Sequence, residues 1–432
     1  MKSVWQNEKE FKKFDKLYDD IKTDVLIIGG GIAGLLCAYE LDKAGVDYIL
    51  IEQGRICQGV TPYTTAKITA QHGLIYNKLE KEFSLDFAKK YLIANESAIN
   101  RYRELSQKYE CDFEEKPNFV YSLNDYDKLE KELYTLNKMD YIGEYVNNLP
   151  IPMSNVGAIK FDHQAQFNPL KLLSQLSENL NIYENTKVYE IDGNTALANG
   201  GRITADNIIV ATHFPFINRH GSYFLKMYQH RSYAIALENG EQLDGMYVDE
   251  SNGGLSFRNY GKYLLIGGGG CRTGKSCGGW KELDKFAAIH YPDATKCYQW
   301  ATQDCMTLDG VPYIGKYSKF THNMFVATGF NKWGMTSSMV ASKVLTDLVL
   351  GKENDYQDIF SPSRSIIRSQ LAINSFEAIK NLCTVSTKRC THLGCALKWN
   401  KEEHTWDCPC HGSRYDEKGN ILDNPALKPL KN

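Results

Sequence analysis

Residues 23 to 52 read as a strand, a glycine turn, a helix and a second strand in immediate succession. Thr23-Asp24-Val25-Leu26-Ile27-Ile28 is a short apolar, β-branched run suited to the buried centre of a parallel sheet. It leads directly into Gly29-Gly30-Gly31-Ile32-Ala33-Gly34, and Leu35 to Ala44 then follows a helical period. Tyr48-Ile49-Leu50-Ile51 forms a second apolar run that ends at Glu52. Glycines at these positions allow a tight turn and let the backbone approach a pyrophosphate at a helix N-terminus, where free N–H groups attract anions. A carboxylate closing the second strand can accept hydrogen bonds from ribose hydroxyls. A bare GxGxxG is weak, but here its whole context is present. The segment is read as a dinucleotide-binding unit, with Gly29, Gly31, Ile32, Ala33 and Gly34 at the pyrophosphate and Glu52 and Gln53 at the ribose. The pattern alone does not separate FAD from NAD.

A second signal lies at the other end of the chain. Cys390-Thr391-His392 is followed, after 15 residues, by Cys408-Pro409-Cys410-His411. Two thiolates and two imidazoles in this order suit a Rieske 2Fe–2S centre, where two cysteines bind one iron and two histidines the other. Neutral imidazoles raise the potential well above that of an all-cysteine cluster. Structural zinc is the alternative use of such a donor set, although zinc sites more often pair Cys with Cys and His with His. Both readings assign Cys390, His392, Cys408 and His411 as metal ligands; the Rieske reading makes the chain a carrier of single electrons.

The runs Cys390-Thr391-His392-Leu393-Gly394-Cys395 and Cys408-Pro409-Cys410-His411-Gly412-Ser413-Arg414-Tyr415-Asp416 closely resemble the Rieske proteins of respiratory cytochrome complexes. That resemblance implies a disulfide between Cys395 and Cys410 clamping the two loops, and hydroxyl donors at Ser413 and Tyr415. Such donors stabilise the reduced cluster and raise its potential. Complete domains of this kind carry several supporting strands before the first ligand loop. Here only a short stretch separates the helix-like Ser369 to Leu382 from Cys390, so the base is expected to be reduced and the rest of the chain to cover the cluster's exposed side.

Three further segments point to FAD by resemblance. Gly59-Val60-Thr61-Pro62-Tyr63-Thr64-Thr65-Ala66-Lys67 is similar to the hydroxyl-rich loop that flavin amine oxidases run along FAD. Asp309-Gly310-Val311-Pro312-Tyr313-Ile314-Gly315 resembles their D-G-x-P-x-I-G strand. Ala327-Thr328-Gly329-Phe330 through Gly334-Met335-Thr336, with a helix to Leu350, resembles the loop and helix that close over the flavin. Residues 20 to 352 are therefore similar to the D-amino-acid oxidase/glycine oxidase family, and the whole chain to its subgroup with a fused C-terminal Rieske domain.

The resemblance implies an α/β (α+β) architecture. A Rossmann-type FAD-binding lobe, from about 20–75, 155–215 and 303–352, is interleaved with an antiparallel-sheet substrate lobe from about 76–154 and 216–302. A linker and helix at 353–382 lead to a minimal all-β Rieske unit at 383–432. Thr61, Thr64, Thr65, Ala66, Val188, Ala211, Thr212, Gly310, Gly329, Trp333, Gly334, Met335 and Thr336 are expected around FAD. Strand-like runs at Lys187 to Ile191, Asn207 to Thr212, Ser232 to Leu237, Met246 to Val248, Leu255 to Arg258 and Tyr263 to Ile266 agree, while Leu79 to Tyr109 reads as a long helical pattern.

In the resembling family the substrate is an amine or amino acid that gives a hydride to flavin. Several members place a carboxylate-binding Arg a few residues before the D-G-x-P strand; here Gln303-Asp304 stands there. Asp304 suits a cationic amine, or it bonds backbone. His72 is a candidate proton acceptor or a structural histidine, and Arg231 and Arg258 are candidates for an anionic group. Some relatives attach flavin to a Cys upstream of the same strand, but the offset of Cys305 differs, so FAD is expected to be non-covalent. The fusion implies that FAD takes two electrons from a small molecule and the cluster passes them singly to a carrier protein. Reverse flow and a redox sensor without turnover are the alternatives.

With Lys+Arg 50 against Asp+Glu 52 the chain lacks the basic excess of a nucleic-acid binder. Its start has no apolar core of a signal peptide, and Val25 to Leu41 is too short and polar to span a membrane, so a cytoplasmic location without integral membrane segments is expected. Gly269-Gly270-Cys271-Arg272-Thr273-Gly274-Lys275-Ser276 formally matches a P-loop. Cys277-Gly278-Gly279 follows where a helix should start, so a Gly-rich strand end near the flavin or a lobe boundary is the better reading.

Overall fold

The computed structural model describes residues 2–7, 10–217 and 220–430. Ile21–Ile28 runs through a sheet of eight strands, parallel to Tyr48–Ile51 on one side and Gly201–Val210 on the other. Ile182–Tyr183 and Met324–Thr328 extend the parallel run, and Val188–Asp192 with Thr195–Ala198 forms an antiparallel hairpin at one edge. Val25 and Ile27 enter one apolar core while Leu26 and Ile28 enter another. Both faces of the strand are buried, which is why its sequence is continuously apolar rather than alternating. Helix Ile32–Lys43 packs against helix Gly334–Val349, bringing the fingerprint and the closing loop together.

A second eight-stranded sheet orders Thr295–Thr307, Met227–Glu238, Tyr263–Arg272, Ser256–Tyr260, Met246–Asp249, Asn118–Ser122, Gly157–Phe161 and Glu144–Val146. All pairs are antiparallel except Met246–Asp249 with Asn118–Ser122. The expected lobe boundaries shift here. Gly157–Phe161 pairs with Asn118–Ser122, and Thr295–Thr307 pairs with Met227–Glu238 as far as Thr307, so both lie in the second sheet rather than the FAD lobe. Strand composition encodes burial, not the identity of the pairing partner. The long helical pattern from Leu79 to Tyr109 forms two helices, Tyr76–Glu82 and Leu85–Ser106. Ser84 interrupts them in extended conformation, and its side chain accepts from the Phe87 N–H at 3.1 Å as an N-cap.

The C-terminal unit has four short antiparallel strands, Lys398–Asn400, Thr405–Asp407, Arg414–Tyr415 and Ile421–Asp423. Its buried apolar cluster is Cys390, Cys395, Leu397, Cys408, Cys410, Tyr415 and Ala426, largely the cluster-binding loops themselves. A unit with so small a core depends on metal and on neighbouring surface for stability. The expected linker is tightly held. Arg364 bonds Asp309 at 3.0 Å and donates to the carbonyls of Val311, Pro312, Ile359 and Ser361, while Ile359 and Phe360 are buried.

Candidate active site and cluster centre

A cavity of about 920 Å³ opens where the two sheets meet. At its base Gly29 has φ +114° and lies against Ala211, whose carbonyl oxygen a Cβ would approach to 2.6 Å. A Cβ on Gly34 would overlap the carbonyl oxygen of Gly29. Those two glycines serve the protein's own packing. Gly31 is different: it lines the cavity, and a Cβ there would meet only Thr61 Oγ1, at 3.5 Å. Ile32 N–H, at the helix start, donates to the same hydroxyl at 3.1 Å. Glu52 Oε2 accepts from Gly30 N–H at 2.8 Å and Oε1 from Gly54 N–H at 2.9 Å. Burial raises this carboxyl above its usual range, against the pull of the backbone donors. Each oxygen keeps a further lone pair for a ribose hydroxyl.

The hydroxyl-rich loop is fixed from below. Arg258, fully buried, donates through Nη1 to the carbonyls of Thr65 (2.7 Å) and Ala66 (2.8 Å). Thr336 Oγ1 donates to the Thr69 carbonyl at 2.9 Å, tying the closing helix to the same loop. Lys67 Nζ reaches Thr65 Oγ1 (3.0 Å) and Ser256 Oγ (3.4 Å) at the cavity wall. Burial, assisted by Arg258, lowers its ammonium to about 7. Asp304 and Lys332 line the cavity together. Burial raises Asp304 to about 6 while Lys332 and Arg231 pull the other way.

The two ligand loops are built alike. Cys390 N–H donates to the Cys395 carbonyl (2.8 Å) and Gly394 N–H to the Cys390 carbonyl (2.9 Å); Cys408, Ser413 and Gly412 repeat both bonds at 2.9 Å. Gly394 (φ +78°) and Gly412 (φ +84°) supply the left-handed turn each loop needs. The rings of His392 and His411 lie 5.0 Å apart at 89°. Burial lowers His392 to about 4, and burial with His392 and Arg272 nearby lowers His411 to about 3, so both are neutral at pH 7, as metal-ligating imidazoles must be. His411 Nδ1 is buried without a hydrogen-bond partner. The thiols of Cys395, Cys408 and Cys410 lie within 4.8 Å of one another, and Cys390 contacts Cys408. An orphaned imidazole nitrogen among convergent thiols fits a 2Fe–2S cluster held by Cys390, Cys408, His392 and His411. Cys395 and Cys410 are adjacent free thiols, so the disulfide expected between them is not formed in this structure; among the described residues one links Cys271 to Cys277 instead.

The centre and the cavity share a wall. Gln229 Nε2 donates to the carbonyls of His411 (3.0 Å) and Asn424 (3.1 Å), and Gln303 Nε2 donates to the Gly412 carbonyl (2.8 Å). Their strand neighbours Tyr228, Thr302 and Asp304 line the cavity, because successive side chains on a strand face opposite ways. The P-loop-like run forms part of the same seat. Arg272 donates to the carbonyls of Pro409 (2.9 Å) and Cys410 (3.0 Å), and a Cβ on Gly274 would come within 2.7 Å of Pro409 N. Gly274 admits the cluster loop, while Gly269 and Gly270 pack against Gly279 and Arg231. Arg231 grips Glu403, which also takes Arg414; Arg414 in turn bonds Asp407 and Asp423. Burial favours protonation of Glu403, but the guanidiniums of Arg231 and Arg414 override it and hold the carboxyl at about 2.

Residues 24–348 match the family of FAD-dependent oxidoreductases. The chain belongs to that family. Residues 348–432 match the Rieske [2Fe-2S] domain, so this oxidoreductase carries FAD and a 2Fe–2S centre. It is 34% identical to YhfW of Bacillus subtilis (strain 168), named for a Rieske 2Fe–2S centre, over 99% of this chain and 97% of the relative. Glycine oxidase from Geobacillus kaustophilus shares its fold with a TM-score of 0.66 at 22% identity, covering 80% of this chain and 99% of that one. L-Proline dehydrogenase from P. horikoshii gives 0.67 at 17% identity, covering 79% and 97%.

Within the oxidoreductase, the residues expected around FAD line the cavity except Gly34, Ala66 and Thr336, which support it from behind as described. His72 lines it too, but Nδ1 meets Tyr91 Oη at 2.6 Å, Nε2 meets the Thr69 carbonyl at 2.8 Å, and the ring stacks on Trp333. Burial lowers its pKa to about 3. With both nitrogens engaged, His72 is a structural residue that seats Trp333. Arg231 and Arg258 do not line the cavity; they bond Glu403 and the flavin loop. Cys305 lines the cavity, and burial raises its thiol well above the usual range, which disfavours the thiolate. Lys332 was hidden in the sequence because it sits in a loop defined by its glycines; Gln303 was hidden because only pairing shows which side of the strand faces the cluster. No helix among the described residues is long and apolar enough to cross a membrane.

Tyr415 Oη lies 3.4 Å from Cys390 Sγ and accepts from Thr391 N–H at 3.1 Å. Burial raises its pKa, so it remains a donor to the ligand thiolate. Ser413 Oγ accepts from Ala426 N–H at 3.1 Å and steadies the second loop. Tyr415→Phe is expected to keep the cluster and lower its potential by about 40 mV, the one-electron equivalent of a hydrogen bond worth about 1 kcal/mol. Protein-film voltammetry measures this, and an unchanged potential would remove Tyr415 from the account.

Proposed function

We propose that the oxidoreductase oxidises a small amino-acid-like amine and passes the electrons singly, through its Rieske centre, to an external carrier. When bound, FAD takes a hydride from the carbon beside nitrogen and the 2Fe–2S cluster carries electrons one at a time. The chain's own part is to orient the substrate, manage its proton and hold the two centres together. The wall of Gln229 and Gln303 carries this reading: one strand layer separates the cavity from the His411 loop, and Ile421, Asn424 and Leu427 of the Rieske unit also line the cavity. An acceptor seated against the flavin cavity makes oxygen unnecessary, so the activity is a dehydrogenase.

Asp304 and Lys332 support a zwitterionic substrate. Asp304 takes the ammonium group, and Lys332, whose Nζ also donates to the Asn252 carbonyl at 2.7 Å and whose charge Asp304 supports against burial, supplies from the loop after Gly329 the cation that position 304 lacks. Glycine oxidase and L-proline dehydrogenase, similar in fold, are named for amino-acid substrates. The ammonium must lose a proton before hydride leaves, and a carboxyl held at about 6 is suited to receive it.

Anaerobic mixing with a panel of amino acids and secondary amines should bleach the flavin band. Below about pH 6 Asp304 is protonated and neutral, and above it anionic, so kcat/KM should rise with pH through that value. Asp304→Asn should lower kcat/KM by about a hundredfold and abolish that limb. Flavin that bleaches with a reduced one-electron carrier but with no amine would show that electrons run inward.

A further inference from the structure

Helix Ser369–Cys383 is folded inside out. Its buried residues are polar, Asn374, Glu377 and Asn381. Asn374 and Glu377 tie the helix to the second sheet and Asn381 ties it to the cluster unit: Arg272 Nη1 donates to Asn374 Oδ1 (2.7 Å), Lys275 pairs with Glu377, and Ala396 N–H donates to the Asn381 carbonyl (2.9 Å). The outward face is apolar. Ile373, Phe376, Ile379 and Leu382 are 52%, 65%, 62% and 46% exposed, and Val385 beyond them 97%. An amphipathic helix normally turns such a face to the core, and a contiguous exposed apolar patch marks an interaction site.

This face continues into the cluster loop. Arg389 Nη1 donates to the carbonyls of Leu382 (3.3 Å) and Gly394 (2.7 Å), joining the helix end to the loop of half-buried His392 and exposed Leu393. It is also basic. Between residues 361 and 400 Glu377 is the sole carboxylate, facing Arg364, Arg368, Lys380, Lys388, Arg389 and Lys398. Arg364 and Arg368 pair with Asp309 and Glu82 and Glu377 with Lys275, so Lys380 on the helix and Arg389 at its end, with Lys388 and Lys398 in the following chain, leave this stretch net positive on a chain of net charge −2.

We propose that this face docks a small acidic one-electron carrier protein. The proposal rests on the reading of the Rieske centre as the port to an external carrier. The apolar stripe supplies a contact core that sheds water, and the cations supply a steering rim. Electron-transfer complexes are small and transient, which suits one helix and one loop tip. A cluster ligand that is only half-buried beside this face favours a carrier over a lipid surface or a second copy, neither of which needs to approach the cluster.

The test uses the full chain with both cofactors bound and an acidic plant-type 2Fe–2S ferredoxin as probe. The wild type should bind it, more weakly as salt rises. Phe376→Ser combined with Ile379→Ser should weaken binding about tenfold. Lys380→Glu combined with Lys388→Glu should weaken it similarly and flatten the salt dependence. Flavin absorbance and the cluster's electron paramagnetic signal should be unchanged in both, which separates a lost surface from a lost fold. No binding by the wild type, or unchanged affinity in both variants, overturns the proposal. So does binding to anionic phospholipid vesicles, or self-association in sedimentation, that disappears with Phe376→Ser. If ferredoxin binds as expected while no amine bleaches the flavin, the surface stands and the substrate reading falls.

Discussion

Valine in place of Gly31 is expected to give protein that keeps its iron and is purified without flavin. Gly31 has φ −81°, an ordinary value for any residue, and its missing Cβ would meet only Thr61 Oγ1 at 3.5 Å. The fold therefore tolerates a side chain there. A valine would occupy cavity space at the start of helix Ile32–Lys43, where the pyrophosphate of FAD belongs. Crowding of that kind costs about 3 kcal/mol, or about a hundredfold in affinity. Gly34→Val is the contrasting control. Its Cβ would overlap the Gly29 carbonyl, so it should lower the melting temperature of the whole FAD lobe. Flavin absorbance and iron content per chain decide the matter, and stoichiometric flavin in the Gly31 variant would contradict the placement.

Glu403→Ala should loosen the Rieske unit. Arg231 and Arg414 would be left buried side by side without their shared counter-ion, a change that costs about 3–5 kcal/mol. Because that unit's core is mostly its own ligand loops, the loss should appear there first, as protease sensitivity beyond the helix Ser369–Cys383 and as lost iron, with FAD retained. The combined Arg231→Met and Glu403→Leu change, which removes both charges of the lobe-to-lobe pair, should recover part of the stability. The pH dependence has a definite sign. Glu403 is held at about 2 against an ordinary 4.5, so its ion pairs stabilise fully above about pH 4.5 and fade as pH falls toward 2. Acid unfolding of the unit should lose that component in the alanine variant. Equal protease resistance at neutral pH would show that the network is dispensable.

Much of this molecule was legible from residues close together in the chain. The βαβ fingerprint works through contacts among Gly29, Gly34, Glu52 and the strand between them, and each cluster loop closes on itself by two backbone bonds. Those motifs announce their chemistry because the atoms that cooperate are neighbours in sequence. The lobe boundaries were less legible, since Gly157–Phe161 and Thr295–Thr307 carry strand composition that fits either sheet. His72, Arg231 and Arg258 are polar groups that sequence alone offers equally to a substrate or to the protein; the Thr69 carbonyl, the Glu403 carboxylate and the Thr65 carbonyl, respectively, engage them for the protein.

The sequence by itself determined the two cofactor sites and the order in which the chain presents them. Only the tertiary structure decided that they share a wall. Arg231 and Glu403 are 172 residues apart, and Gln303 and Gly412 are 109 apart, so their meeting depends on the path of the whole chain. The helix Ser369–Cys383 makes the same point at short range. Its periodicity reveals two faces but is indifferent to which one turns inward. That choice was made by Arg272, Lys275 and the cluster loop, whose polar groups needed Asn374, Glu377 and Asn381 more than the apolar face needed burial.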